Sequence, residues 1–313
     1  MNLGTTSFYA NAKLMITSEY LVLDGAPSLA VPLTYGQDLK VSPLKEKILS
    51  WKATQPGGTW FEARFSLPEL DILSCSDHMV AARLVELLQA ARTMNPAFLH
   101  EAHGYFVSTH LNFDREWGLG SSSTLIHNIS RWAAVDPFKV LKITSKGSGY
   151  DIACAEASGP ILYRLSEGKP VIKKVNFFPE FSGFIYFVYL GIKQDSNRGI
   201  RDYRSIAGLD LQQCAEEAGR ITENILNCKG YEEFILLISE HEALLSRVLG
   251  RPVLSETLFK GFPGTAKSLG AWGGDFAMLC TQLPIDELKK TLKSIGINVI
   301  FKFDDIVLKH GMN

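Results

Sequence analysis

Apolar and polar residues alternate in short runs through the first third of this chain and settle into longer helical periods further on. Lys13 to Ile16, Tyr20 to Leu23, Leu39 to Val41, Ile48 to Trp51 and Trp60 to Phe65 are β-prone pieces broken by Gly, Pro and Asp, so each predicts a strand. Pro56-Gly57-Gly58 predicts a turn. From Asp77 to Met94, Val80, Leu84, Leu87, Leu88 and Ala91 recur at helical spacing, with Ser76-Asp77 as the cap. A strand over Gly104 to Thr109 leads to the Gly-Ser segment 118–123, which opens a helix ending near Asp136-Pro137. A second small-residue loop, Gly147 to Asp151, runs into Ile152-Ala153-Cys154-Ala155, and Gly159-Pro160 turns the chain into a strand at Ile161 to Leu165.

Beyond this, Phe184 to Leu190 predicts a buried strand, and Leu211 to Leu226 and Tyr231 to Leu249 predict two amphipathic helices. A third glycine-rich piece, Gly270 to Asp275, precedes a strand at Phe276 to Cys280; a helix over Ile285 to Ser294 and a strand over Asn298 to Phe303 follow. Strands and helices in mixed order, without strict βαβ alternation, predict an α+β fold. A boundary near Ser166 to Pro170 divides the chain into expected domains at 1–167 and 168–313.

Composition narrows the function. With 313 residues, 46% of them hydrophobic, the chain can bury the cores of two domains. Its 32 Lys plus Arg against 33 Asp plus Glu provide no global positive field for nucleic acid or an anionic membrane, so an anionic ligand must be held locally. Five scattered cysteines without a CxxC pair argue against a disulfide framework or a zinc site. No leader pattern and no run long enough to span a bilayer stand out, and a reducing cytoplasm is the expected compartment.

The candidate chemistry lies in the small-residue loops. In Gly118-Leu119-Gly120-Ser121-Ser122-Ser123 the glycines let backbone approach an anion, and the following helix would aim its N–H groups at a phosphate. Read alone, the same residues also suit an ordinary turn with an N-cap. Three such loops have a common use if they serve one nucleotide triphosphate. The P-loop pattern GxxxxGK[ST], the dinucleotide fingerprint, metalloprotease spacing and a GxSxG elbow are all absent.

Four ordered segments then carry a resemblance: Ala12-Lys13-Leu14-Met15-Ile16-Thr17-Ser18-Glu19-Tyr20, the 118–123 loop, Gly147-Ser148-Gly149-Tyr150-Asp151-Ile152-Ala153, and Lys267-Ser268-Leu269-Gly270-Ala271-Trp272-Gly273-Gly274-Asp275. Together they resemble the landmarks of the GHMP kinases, above all the mevalonate and phosphomevalonate kinase branch. The Gly-Tyr-Asp-Ile-Ala string is similar to that of a bacterial subgroup named for it. The resemblance implies a two-domain α+β fold, with a left-handed β-α-β element in the N-terminal domain and a ferredoxin-like C-terminal domain.

It also implies roles. Gly118 to Ser123 would wrap the phosphates of ATP, Ser122 would be a Mg2+ ligand, and Asp151, with Lys13 near it, would face the acceptor hydroxyl. Glu19, Tyr20, Gly273 and Gly274 would lie at the acceptor, as would Lys193, Ser196 and Arg198 in the 191–199 segment. Taken by themselves, Asp151 suits a helix cap, Lys13 a solvated strand position, Glu19 a surface position and the 191–199 segment a solvated loop. The chain departs from the family pattern at Asn11-Ala12, at Ser18 and at Trp272, each where glycine or Pro-Gly is usual. Phe138 to Ser148 holds no acidic residue where the family often has a glutamate metal ligand.

The expected function is ATP- and Mg2+-dependent phosphoryl transfer to a hydroxyl or phosphate on a small molecule of mevalonate or phosphomevalonate type, by a monomer or homodimer. The alternative is a catalytically silent relative that binds a nucleotide or metabolite.

Overall fold

The computed structural model describes residues 4–101, 103–192, 196–270 and 275–311, with the side chains of 196 and 197 left aside. By contacts the chain forms two compact units, one of Met1–Ala12, Tyr35–Arg115 and Leu119–Glu156, the other of Lys13–Thr34, Glu116–Gly118 and Ala157–Asn313. Strands β1 (Thr6–Met15) and β2 (Ser28–Leu44) supply residues to both.

In the first unit, β3 (Ile48–Gln55) pairs antiparallel with β4 (Gly58–Ser66), which pairs antiparallel with β5 (Ile72–Cys75). After helix α1 (His78–Met94), β6 (Gly104–Leu111) lies parallel to β3 and antiparallel to the second half of β2. Period-two burial explains the sheet: Leu49, Trp51 and Ala53 on β3 and Phe61, Ala63 and Phe65 on β4 all turn to one face. Against it pack Leu84, Leu88 and Ala91 of α1, Ile126 and Ile129 of α2 (Ser121–Trp132), Val140 of α3 (Pro137–Thr144) and Ile152 of α4 (Tyr150–Glu156). The Asp77 carboxylate caps α1 by accepting from the Met79 and Val80 N–H groups. Asp136 and Pro137, read from sequence as a helix end, instead start α3: α2 stops at Trp132, and Asp136 caps the new helix with Pro137 in its first turn.

In the second unit, the first half of β2 pairs with β7 (Ile161–Ser166), which pairs with β8 (Lys169–Lys174). A separate sheet has the order β10 (Thr265–Leu269), β11 (Phe276–Cys280), β9 (Ile185–Tyr189), β12 (Ile300–Lys302), every pairing antiparallel. Helices α5 (Ser196–Arg204), α6 (Leu211–Asn227) and α7 (Tyr231–Leu249) follow β9; α8 (Ile285–Ser294) follows β11, and the short α9 (Phe303–Ile306) follows β12. First strand, helices, two strands, helix, strand, with spatial order 2-3-1-4, is the ferredoxin-like arrangement that the family resemblance implies. Burial of β9 and β11 on both faces explains their unbroken apolar runs. Leu288 and Leu292 of α8 pack on that sheet.

Two further expectations change. Tyr20 to Leu23, predicted as a strand, is a tight turn running into a 3₁₀ turn over Leu21–Asp24, because Ser18 and Tyr20 adopt positive φ and end β geometry. Residues 196–204, in part read as loop, are helical. No cysteine is in a disulfide, and no helix among the described residues is long and apolar enough to cross a membrane.

Candidate active site

In the first unit the site is built where the Gly-Ser segment becomes α2. Gly120 stands at the N-cap in the left-handed conformation, φ 97°, and among the described residues no side chain caps the helix. Glycine tolerates that backbone, and the first-turn N–H groups keep the capacity to meet an anion. Thr124 Oγ1 donates to Gln37 Oε1 at 2.8 Å and Asn128 Nδ2 donates to the Gln37 carbonyl at 2.9 Å, so buried Gln37 on β2 fixes where α2 begins. Ser121 is half-buried, Ser122 exposed and Ser123 buried.

Ser123 Oγ donates a short hydrogen bond to Asp151 Oδ2, and Asp151 Oδ1 accepts from the Ile152 N–H at 3.0 Å. A bond to a carboxylate is charge-assisted, so Ser123 orients Asp151 as well as stabilising it. Gly149, with φ 91°, turns the chain into α4 just before Asp151. The structure thus brings Ser123, in the first turn of α2, against Asp151, in the first turn of α4, so that Ser123 rather than Ser122 touches the carboxylate.

The other residues singled out by sequence lie in the second unit. Lys13 Nζ donates to the Gly118 carbonyl at 3.3 Å. Gly118 has φ 70°, and a Cβ there would collide with the Asp275 carboxyl group, so a left-handed turn and a close approach both demand glycine. Arg198 is exposed on α5, 4.0 Å from Asp202. Lys193, Gly273 and Gly274 lie outside the described residues, as does the side chain of Ser196.

Glu19 differs from the surface position it has on residue type alone. Only 2% exposed, it accepts a short charged hydrogen bond from Lys267 Nζ, itself 0% exposed on β10. Lys267 also donates to the Ser268 carbonyl at 2.8 Å. Around this pair, the Ser268 N–H donates to both oxygens of Glu242 at 3.2 Å, and the Ser18 N–H donates to His241 Nε2 at 2.7 Å. Thr222 Oγ1 donates to Thr17 Oγ1 at 2.9 Å. Burial raises the Glu242 carboxyl to about 7 despite Lys267 and also raises that of Glu19, while burial and the Lys267 charge push His241 well below its ordinary value. His241 is therefore neutral, and Nε2 is the nitrogen that accepts.

This cluster holds a strained backbone. Ser18 has φ 64° and Tyr20 has φ 62° and ψ −47°, and the Leu21 N–H donates to the Glu19 carbonyl at 2.7 Å. That is a γ-turn of the rare positive-φ kind centred on a tyrosine, and each such residue costs on the order of 1–3 kcal/mol. Tyr20 stacks on Tyr203 of α5 with centroids 5.6 Å apart, and its hydroxyl abuts Gly199. Asp24 accepts from the Tyr203 hydroxyl at 2.6 Å and from Arg204 at 2.7 Å.

Sequence reasoning missed Gln37, Thr222, His241, Glu242 and Lys267 as parts of these arrangements. One signal was present: Phe234, Ile238, His241 and Leu245 recur at helical spacing, which sets His241 on the buried stripe of α7.

No protein-family profile and no curated protein matches the sequence. Solved structures do. The chain is similar to mevalonate kinase from L. major in complex with R-mevalonate, with a TM-score of 0.71 and 15% identity over 100% of this chain and 98% of that one. It is also similar to Streptococcus pneumoniae phosphomevalonate kinase with phosphomevalonate and AMPPNP, at 0.69 and 16% over 95% and 99%. Lactococcus lactis galactokinase with galactose matches at 0.68 and 12% over 99% and 94%. At such identities the likeness is one of fold, and the chain has the two-domain α+β fold of the GHMP kinases.

Proposed function

We propose that this protein is an ATP- and Mg2+-dependent small-molecule kinase that transfers the γ-phosphate to a hydroxyl or phosphate acceptor of mevalonate or phosphomevalonate type. The observation that carries the reading is the start of α2: left-handed Gly120, no cap from a described side chain, and Ser123 bonded to Asp151. Phosphoryl transfer asks a protein mainly for in-line positioning and for fixed dipoles around the moving group, and this helix start offers both an anion cradle and a carboxylate.

In this reading Gly118 to Ser123 receive the ATP phosphates. Asp151, oriented by Ser123, takes the proton of an acceptor hydroxyl, and Lys13 offsets charge on the attacking oxygen. The donors at the helix start are hydroxyl and carboxylate oxygens, which suit a hard divalent ion, and Ser122 is the exposed one. Mg2+, when bound with ATP, supplies positive charge at the phosphate oxygens. Among the described residues no three His, Cys, Asp or Glu side chains gather as a metal site, so Ser122 would hold an ion in company with phosphate and water rather than as part of an all-protein cage. Glu19 and Tyr20, with Lys193, Ser196, Arg198, Gly273 and Gly274, belong to the acceptor side. The enzyme works in the cytoplasm as a monomer or homodimer, within the bacterial subgroup that shares its Gly-Tyr-Asp-Ile-Ala string.

Single-turnover transfer from labelled ATP to mevalonate, phosphomevalonate and sugar acceptors tests the proposal. Transfer to at least one, lost in Asp151→Asn with nucleotide affinity kept, is the expected result. Nucleotide binding without transfer to any would leave a silent binding protein instead.

A further inference from the structure

The Glu19–Lys267 pair is poorly explained by stability. Two charges at 2% and 0% exposure lose their hydration, and Glu19 Oε2 finds no hydrogen-bond partner among the described residues. An apolar pair of similar volume would serve a core as well or better. What the pair does have is a place. Glu19 sits between Ser18 and Tyr20, the two positive-φ residues, and its own carbonyl closes the γ-turn. Strain of this kind persists only where surrounding contacts over-determine it. Here those contacts are Lys267 on the Glu19 side chain, His241 on the Ser18 N–H, and the Pro27 carbonyl accepting from Ser18 Oγ at 2.7 Å. The output of the turn is Tyr20, against which Tyr203 stacks and Gly199 rests. Both belong to α5, a helix that also carries the exposed cations Arg198 and Arg201, chemistry suited to an anionic acceptor.

We propose that Lys267 is a positioning residue for acceptor binding: paired with Glu19, it holds the strained turn that seats α5 through Tyr20. Its link to the acceptor rests on the kinase reading above, and its link to α5 on the geometry of this unit alone. Lys267, with its side chain 0% exposed, acts through Glu19 and Tyr20. The acceptor class that would feel the change carries a carboxylate or phosphate.

The test compares the full-length protein with Lys267→Met and with the double variant Lys267→Met/Glu19→Gln, which removes both buried charges so that neither is left unpaired. Amide hydrogen exchange and separate KM values for ATP and for an anionic acceptor are measured. The double variant is expected to recover most of the thermal midpoint that the single variant loses. Its amides at 17–24 and 196–204 should still exchange about tenfold faster, with acceptor KM raised about tenfold and ATP KM changed less than about twofold. Wild-type exchange in those segments, uniformly faster exchange throughout, or both KM values moving together would overturn the proposal, as would a double variant that does not fold. Should the wild type phosphorylate no acceptor, the kinase reading fails, and exchange at 196–204 then decides the positioning role by itself.

Discussion

The polar groups at the start of α2 and those around Lys267 are wired for opposite purposes. At α2 no described side chain caps the helix, Ser122 is exposed, and Asp151 is held by a serine hydroxyl and a backbone N–H. Around Lys267 every charge is buried, and the polar partners are other side chains, the backbone of the strained turn and the Ser268 backbone of β10. Capacity left open to solvent is free to meet a ligand; capacity turned inward serves the chain. The difference teaches that a buried ion pair at a motif is better sought as a brace than as a contact to substrate.

Substitutions can break this contrast. The largest effect is expected from Lys267→Met, which strands Glu19 as a buried unpaired carboxylate and should cost about 3–5 kcal/mol in denaturant unfolding. A loss below about 1 kcal/mol would mean that the pair is far less buried in solution. Asp151→Asn should do the reverse, leaving stability nearly intact while turnover falls about 100-fold or more, some 2.7 kcal/mol of barrier. An unchanged turnover number removes Asp151 from the mechanism.

Gly118→Ala is expected to lower stability by about 2 kcal/mol, because a Cβ meets both an unfavourable φ and the Asp275 carboxyl group. A thermal midpoint equal to wild type would contradict that packing. The smallest effect is a pH dependence. Glu242 is raised to about 7, so the folded state holds its proton more tightly than the unfolded one. That contribution is fully present below about 4.5, falls as pH rises, and is gone above about 7. His241 works in the other sense, its contribution being present above its ordinary value of 6.5 and lost as pH falls. Glu242→Gln removes only the first, so its stability relative to wild type should rise steadily between pH 5 and 8. Parallel stability curves would show that Glu242 is not the group concerned.

Much of the fold was legible because local periods agree with burial. The helix over Tyr231–Leu249, the strand over Phe276–Cys280 and the helix over Ile285–Ser294 lie where the apolar spacing put them. Strand β8 was not legible: Lys169 to Lys174 is exposed throughout, so no alternation marks it as an edge. Strand β10 was hidden for the opposite reason, since Thr265-Ala266-Lys267-Ser268-Leu269 buries a lysine that residue type assigns to solvent.

By itself the sequence determined the α+β class, most element positions and the segments where glycine and serine gather, because period, turn chemistry and capping act over a few residues. Only the tertiary structure decided that Ser123 meets Asp151 and that Lys267 closes on Glu19. Those partners stand 28 and 248 residues apart, and their pairing depends on which strands and helices pack together, a long-range outcome that no local pattern encodes.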